Sequence, residues 1–177
     1  LRHLEQAGGD RQAVITQCQQ LKQIADSVLE NLHRLAIDLR PASLDHLGLV
    51  PALRQHTEMV SHQHGLAVQL EVVGAIGRLP DDMETVIYRI VQEALTNVVR
   101  HSRASRADIL LERRDAKLWV IVEDDGVGFD PKFPAVNQLG MVGMRERADM
   151  LGGTMRLECS PGKGSTIILE VPCPLEL

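Results

Sequence analysis

From residue 81 onward the spacing of apolar residues changes period, from that of a helix to that of strands, and no other feature limits the possible folds so strongly. Val86, Ile87, Ile90, Val91, Ala94, Leu95 and Val98 recur at helical intervals behind Asp81 and Asp82, either of which suits a helix cap, and the helix is expected to end near His101. Residues 107–112 and 118–123 then read as strands joined by a polar turn through Asp115. Residues 154–158 and 165–171 read as a second hairpin around Pro161-Gly162. Between the pairs, 126–140 lacks periodicity and reads as a long loop, and 144–151 as a short helix closed by Gly152-Gly153. A helix followed by two hairpins predicts a mixed α+β domain.

Upstream stands a different pattern. Val14, Cys18, Leu21, Ala25, Val28, Leu32, Leu35 and Leu39 follow one another in alternating steps of four and three, a heptad seam that Ile24, Leu29 and Ile37 broaden. Gly8-Gly9-Asp10 breaks the chain before it, so a helical hairpin is expected. One hairpin cannot bury such a face alone; dimerisation into a four-helix bundle competes with packing on the chain's own domain. Pro41 ends this helix, and Ser43 caps a second one, with Leu44, Leu47, Leu49, Leu53 and Val60 on its apolar side, that stops at Gly65. Residues 66–73 alternate as a strand, and 74–80 form a turn-rich connection.

Composition removes several function classes. The 177 residues carry 19 Lys+Arg against 24 Asp+Glu, a net charge of -5, so the electrostatic footprint of a nucleic-acid binder is missing. One Trp, one Tyr and two Phe leave an aliphatic core and almost no platform for stacking bases or sugars. Three Cys without a CxxC spacing indicate neither a disulfide framework nor a zinc site and suit a reducing compartment; His62 and His64, ahead of Gly65, read as a solvated helix end. No apolar run approaches the roughly 20 residues that span a bilayer, so no membrane contact is expected of this stretch. The chain starts at Leu1 without Met and is expected to be a piece of a larger protein.

Three places carry chemistry. Glu93 and Asn97, four residues apart, share a helix face with Arg100 and His101 at the next turn; alone the pattern is weak, since Glu and Asn on helices are mostly solvated. Straight after the strand 118–122 comes Glu123-Asp124-Asp125-Gly126-Val127-Gly128, carboxylates opening into glycines that would let a ligand approach the backbone. Gly140-Met141-Val142-Gly143-Met144 runs into a helix N-terminus, a geometry able to hold an anion, although it is neither a Walker loop nor a dinucleotide fingerprint.

In order and spacing, Glu93-xxx-Asn97, Asp124-x-Gly126-x-Gly128, Gly140-xx-Gly143 and Gly162-x-Gly164-Ser165 resemble the N, G1 and G2 boxes and the closing element of the Bergerat-fold (GHKL) ATPases. Leu39-Arg40-Pro41, Leu44-Asp45-x-Leu47-Gly48-Leu49, the run from Tyr88 to Asn97, and Gly143-Met144-Arg145-Glu146-Arg147-Ala148 are similar to the sensor histidine kinases paired with LuxR/NarL-type response regulators. The resemblance runs from about residue 10 to 172. It implies a two-layer α/β sandwich over 43–177 that binds ATP. Residues 1–42 would supply the second helix of a dimerisation hairpin whose first helix is truncated.

Residue by residue, the resemblance makes Asp124 the acceptor for the adenine amino group, Asn97 the Mg²⁺ ligand, and Glu93 the acidic residue at the reacting phosphate, a base or water organiser. Arg100 and His101 would lie near the phosphates. Gly126 and Gly128 would line the nucleotide, Gly140 and Gly143 would serve as lid hinge and phosphate-contacting backbone, and Ser165, beside Gly164, would meet adenine through water. The implied cofactors are ATP and Mg²⁺, and the implied partners a LuxR/NarL-type response regulator and a second copy through the hairpin. The implied location is cytoplasmic, with an inner-membrane anchor in the full-length protein left open. Two departures stand out: Gln138 replaces a glycine common in relatives, and no His is followed by an acidic residue, His3 preceding Leu4 and His33 preceding Arg34. The phosphoacceptor is therefore expected outside this chain, which would bind ATP without phosphorylating itself. Another ATPase of the same fold and a module that only senses nucleotide are the competing readings.

Overall fold

The structure, a computed structural model, describes residues 42–129 and 138–173. The chain divides into two compact units, Leu1–Arg40 and Pro41–Leu177, and the described residues belong to the second. The heptad stripe from Val14 to Leu39, the Gly8-Gly9-Asp10 break and most of the 126–140 segment lie outside the described residues.

Five strands form one sheet in the order β1-β2-β3-β5-β4: β1 (Ala67–Val73), β2 (Arg106–Arg114), β3 (Lys117–Asp124), β4 (Thr154–Cys159) and β5 (Ser165–Pro172). β2 and β3 form the first expected hairpin, turned at Asp115 with φ 55, and β4 and β5 the second. β3 and β5 join the hairpins antiparallel. β1 adds to the edge in parallel with β2, a pairing that needs a crossover, which the intervening helix provides. Among the described residues four helices accompany the sheet: α1 (Ala42–Leu47), α2 (Leu49–His64), α3 (Asp81–Asn97) and α4 (Gln138–Met150), with a π-turn over Val98–Ser102 prolonging α3.

Strand alternation decides which face is covered. Ala107, Ile109 and Leu111 of β2, Leu118, Val120 and Val122 of β3, and Ile167, Leu169 and Val171 of β5 are all buried. Against them pack Ile87, Ile90, Val91, Ala94 and Leu95 of α3, Leu49, Ala52 and Leu53 of α2, and Met144 and Ala148 of α4. The core is aliphatic, as the composition requires; burying each Leu, Ile or Val stabilises by about 1.5–3 kcal/mol. The intervening positions of the sheet, Asp108, Glu112, Lys117, Trp119 and Glu170 among them, face away from this core.

Local departures have physical causes. Instead of one helix from Ser43 to Gly65 there are two, because Gly48 takes φ +84 and breaks the helical path; Ser43 falls in the first turn of α1. A Cβ on Gly48 would stand 3.1 Å from Arg78 Nη1. That arginine reaches the Leu44 carbonyl at 3.4 Å and Glu84 Oε2 at 3.6 Å, while Glu84, fully buried, accepts the Leu79 N–H at 3.2 Å. α1 is thereby tied to the start of α3. The expected Gly65 stop is a left-handed cap whose N–H bonds the Ser61 carbonyl at 3.0 Å. Neither Asp81 nor Asp82 caps α3: Pro80 holds the cap position, and both acids sit in the first turn, where their charge favours the helix dipole.

α4 begins at Gln138, six residues before the expected start at Met144, so Gly140 and Gly143 are helical. Among the described residues, no helix is long and apolar enough to cross a membrane.

Candidate functional site

Asp124 breaks a rule of its own strand. It continues the buried series Leu118, Val120, Val122, and so projects a carboxylate to the helix-covered side at the end of β3, with 4% of its surface exposed. Its cross-strand neighbours are Ala107 on β2 and Ser165 on β5, the former leaving space and the latter a hydroxyl. Ser165 Oγ donates to Asp124 Oδ2 at 2.5 Å, and the Gly126 N–H donates to Oδ1 at 2.9 Å. A carboxylate offers about four acceptor sites. Two remain for a ligand's N–H donors.

The glycines around it stand against other stretches of the protein's own backbone. A Cβ on Gly126 would lie 2.3 Å from the Ser102 carbonyl oxygen, one on Gly128 2.1 Å from that of Ser160, and one on Gly164 1.8 Å from that of Asp124. Their missing side chains make room for other stretches of this chain. The same three connections are laced by hydrogen bonds: Val127 N–H to Ser102 O at 2.8 Å, and Gly162 N–H to Val127 O at 2.7 Å. The floor under Asp124 is therefore made of interlocked backbone.

Asp125, one of the run of carboxylates ahead of the glycines, fixes this floor to the start of β2. Its Oδ1 accepts the N–H groups of Ser105 at 2.8 Å and Arg106 at 2.9 Å, and its Oδ2 accepts the Ser105 hydroxyl at 2.6 Å. The Ser105 hydroxyl first, then the Arg106 N–H, hold its carboxyl below the usual range. Doubled acids before a glycine are the available signal, and spacing alone does not say which of the two is structural.

A second group gathers where α3 meets α4. Glu93 and Asn97 lie on one face of α3, both half-buried, and Gly140 in the first turn of α4 comes so close that a Cβ there would be 2.4 Å from Glu93 Oε1 and 3.8 Å from Asn97 Nδ2. Arg100 and His101 follow in the π-turn, both exposed. They therefore follow Asn97 on a wider turn than the α-helix that carries it and Glu93. Its last residue, Ser102, supplies the carbonyl that holds Val127, so the end of α3 is joined through backbone to the Asp124 loop. Gly143, one turn into α4, has among the described residues only the flexible Arg147 near its Cβ direction, at 3.3 Å. Asn97 offers one neutral hard oxygen, and no cluster of three or more His, Cys, Asp or Glu able to hold a metal occurs among the described residues. That donor set fits a cation held chiefly by water and a ligand's phosphates.

Comparison with known proteins gives this arrangement a family. Residues 82–175 match the model of the histidine kinase-, DNA gyrase B-, and HSP90-like ATPases. The signal transduction histidine-protein kinase/phosphatase DegS of Brevibacillus brevis is 35% identical over 156 residues, which cover 88% of this chain and 40% of that protein. The oxygen sensor histidine kinase NreB of Staphylococcus carnosus is 32% identical over 167 residues, 92% of this chain and 47% of that one. The chain thus spans less than half the length of these curated relatives. Among solved structures, the histidine kinase domain of the Erythrobacter litoralis blue-light activated kinase superposes with a TM-score of 0.57 at 25% identity, covering 70% of this chain and 60% of that one. The Acinetobacter baumannii histidine kinase AdeS shares the fold, with a TM-score of 0.61 at 20% identity over 86% of this chain and 83% of its own. With its five-stranded sheet backed by helices and the matched segment taking in Glu93, Asn97, Asp124, Gly140 and Ser165, this chain belongs to the histidine kinase-, DNA gyrase B- and HSP90-like ATPases.

Proposed function

We propose that this chain is the ATP-binding catalytic portion of a two-component sensor histidine kinase. In the longer protein it would transfer the γ-phosphoryl group of Mg-ATP to a histidine outside this chain, and from there to an aspartate of a LuxR/NarL-type response regulator. The observation that carries the reading is Asp124, a buried carboxylate held from two sides by Gly126 N–H and Ser165 Oγ with acceptor capacity to spare. Such a group selects adenine, whose exocyclic amino group donates, over guanine, whose carbonyl at the same place would set acceptor against acceptor. Ser165 steadies the carboxylate and meets the base through water.

The phosphates belong at the other group. Asn97 is the ligand for Mg²⁺, which when bound neutralises charge on the phosphoryl oxygens. Arg100 and His101 add positive charge and hydrogen bonds there, and the N-terminal turn of α4 contributes backbone N–H groups. Glu93 orients the attacking group or accepts its proton. Residues 1–42 are read as the second helix of a dimerisation hairpin, so the functional unit is a homodimer, and its place is the cytoplasm.

Titration calorimetry tests the reading: Mg-ATP and ADP should bind and GTP should not. In the longer chain that carries the acceptor histidine, Asn97→Asp should slow phosphotransfer far more than it weakens ADP binding. Parent-rate transfer by that variant would overturn the role of Asn97 as metal ligand.

A further inference from the structure

We propose that Gly140 is a positioning residue for the Glu93 carboxylate, so that the first turn of α4 determines where the acid of α3 stands; this rests on the reading of Glu93 given above. Gly140 is third in α4 and is not among the glycines with positive φ, so its backbone conformation does not call for glycine. Inside a helix, glycine is about 0.5–1 kcal/mol worse than alanine. Space supplies the reason it is there: the nearest atoms to a Cβ at this position are Glu93 Oε1 at 2.4 Å and Glu93 Cδ at 3.3 Å, ahead of Asn97 Nδ2 at 3.8 Å. α4 can lie against α3 with Glu93 in this rotamer only while residue 140 has no side chain.

The kind of atom met matters. At Gly126, Gly128 and Gly164 a Cβ runs into backbone carbonyls that cannot move without moving the fold. At Gly140 it runs into the far end of a flexible side chain, which can swing aside. Alanine at 140 therefore leaves the fold intact and displaces the one carboxylate proposed to act at the reacting phosphate. The position of that carboxylate is favourable for a second reason, because a negative charge beside the first turn of a helix meets the positive end of its dipole. Gly143, with Arg147 Nη1 at 3.3 Å, has no such neighbour.

The test is a double-mutant cycle in the longer chain that carries the acceptor histidine, comparing parent, Gly140→Ala, Glu93→Ala and the double variant for thermal midpoint, ADP affinity and initial phosphotransfer rate. Gly140→Ala should keep its midpoint and ADP affinity and lose roughly ten- to a hundredfold in rate, the scale of an ångström-sized misplacement of a catalytic group. The double variant should be no slower than Glu93→Ala alone, since without the carboxylate there is nothing left to displace. Glu93→Asp, shorter by one methylene, should restore part of the rate in the Gly140→Ala background. Additive losses would show that Gly140 acts on the phosphates independently of Glu93 and would overturn the proposal, as would a parent rate for Gly140→Ala. If Glu93→Ala itself transfers at the parent rate, the reading of Glu93 falls first and the proposal with it. If Gly140→Ala does not fold, the double variant decides: it folds if the carboxylate is the only obstacle, and its failure to fold refutes that.

Discussion

Replacing Asp124 by Asn isolates the group proposed to select the nucleotide. The amide has the size of the carboxylate, and its orientation is dictated by the surroundings: Oδ1 must keep facing the Gly126 N–H at 2.9 Å, because an NH₂ there would set donor against donor. The NH₂ then takes the place of Oδ2 opposite Ser165, whose hydroxyl can rotate and accept instead of donate. The protein part of the network survives, so the thermal midpoint should change little. The adenine amino group, however, now meets a donor. Loss of a hydrogen bond to a charged acceptor is worth roughly 1–3 kcal/mol, or about five- to 150-fold in dissociation constant. Calorimetric titration of ADP into parent and Asp124→Asn protein, with the midpoints measured in parallel, gives both numbers. Unchanged ADP affinity in a folded variant would refute the argument, and so would a loss of affinity that a falling midpoint fully accounts for.

Burial holds the His56 imidazole, which packs on Tyr88 with centroids 5.6 Å apart, below its ordinary value of 6.5, so the unfolded chain binds a proton that the folded chain refuses. Its contribution is fully present above about pH 6.5 and is lost as pH falls below, and His56→Phe should flatten the dependence of melting temperature on pH between about 7.5 and 5.5; parallel curves for the two proteins would reject this. Gly162 and Gly164 have nearly the same backbone, φ +76 and +72, but among the described residues a Cβ meets nothing within 4 Å at 162 and the Asp124 carbonyl oxygen at 1.8 Å at 164. Gly162→Ala should cost about 1–2 kcal/mol and Gly164→Ala at least a further 1–3 kcal/mol in chemical denaturation, and equal losses would contradict the packing argument. Incubation of this chain with labelled ATP should leave no acid-labile, base-stable phosphate on it, since no His here is followed by an acidic residue; label on His3 or His33 would place the phosphoacceptor inside the chain.

What could be read from the sequence, and what could not, follows the range of the forces involved. Period-2 alternation makes Leu118, Val120 and Val122 an inward face, and the same count places Asp124 inward with them, a carboxylate where a hydrophobic residue is due. Alternation names faces and not neighbours, so the parallel seat of β1 beside β2 appears only with α3 in place as the crossover. The start of α4 is lost to propensity: two glycines within six residues argue against a helix at 138, and the burial of Met144 and Ala148 against α3 and the sheet overrides them. The π-turn after Asn97 leaves no mark in hydrophobic spacing at all.

The glycines show most clearly where sequence reasoning must stop. In a row of letters, Gly126, Gly128, Gly140 and Gly164 are equivalent, each compatible with a ligand approaching bare backbone. In three dimensions they divide by what stands where the side chain would be: carbonyl oxygens of Ser102, Ser160 and Asp124 in three cases, and the end of the Glu93 side chain in the fourth. The end of the site that holds Asp124 is thus built from backbone that cannot yield, and the end that holds Glu93 and Asn97 from α3 side chains, packed against the bare Gly140 of α4, that can. Under the proposed function, a rigid floor beneath the base and adjustable groups around the phosphates would suit a protein that must bind one nucleotide reliably and release its chemistry only in a particular geometry. Substitutions should therefore fail in two distinct ways, the floor losing folding and binding together and the helix contact losing rate while binding persists.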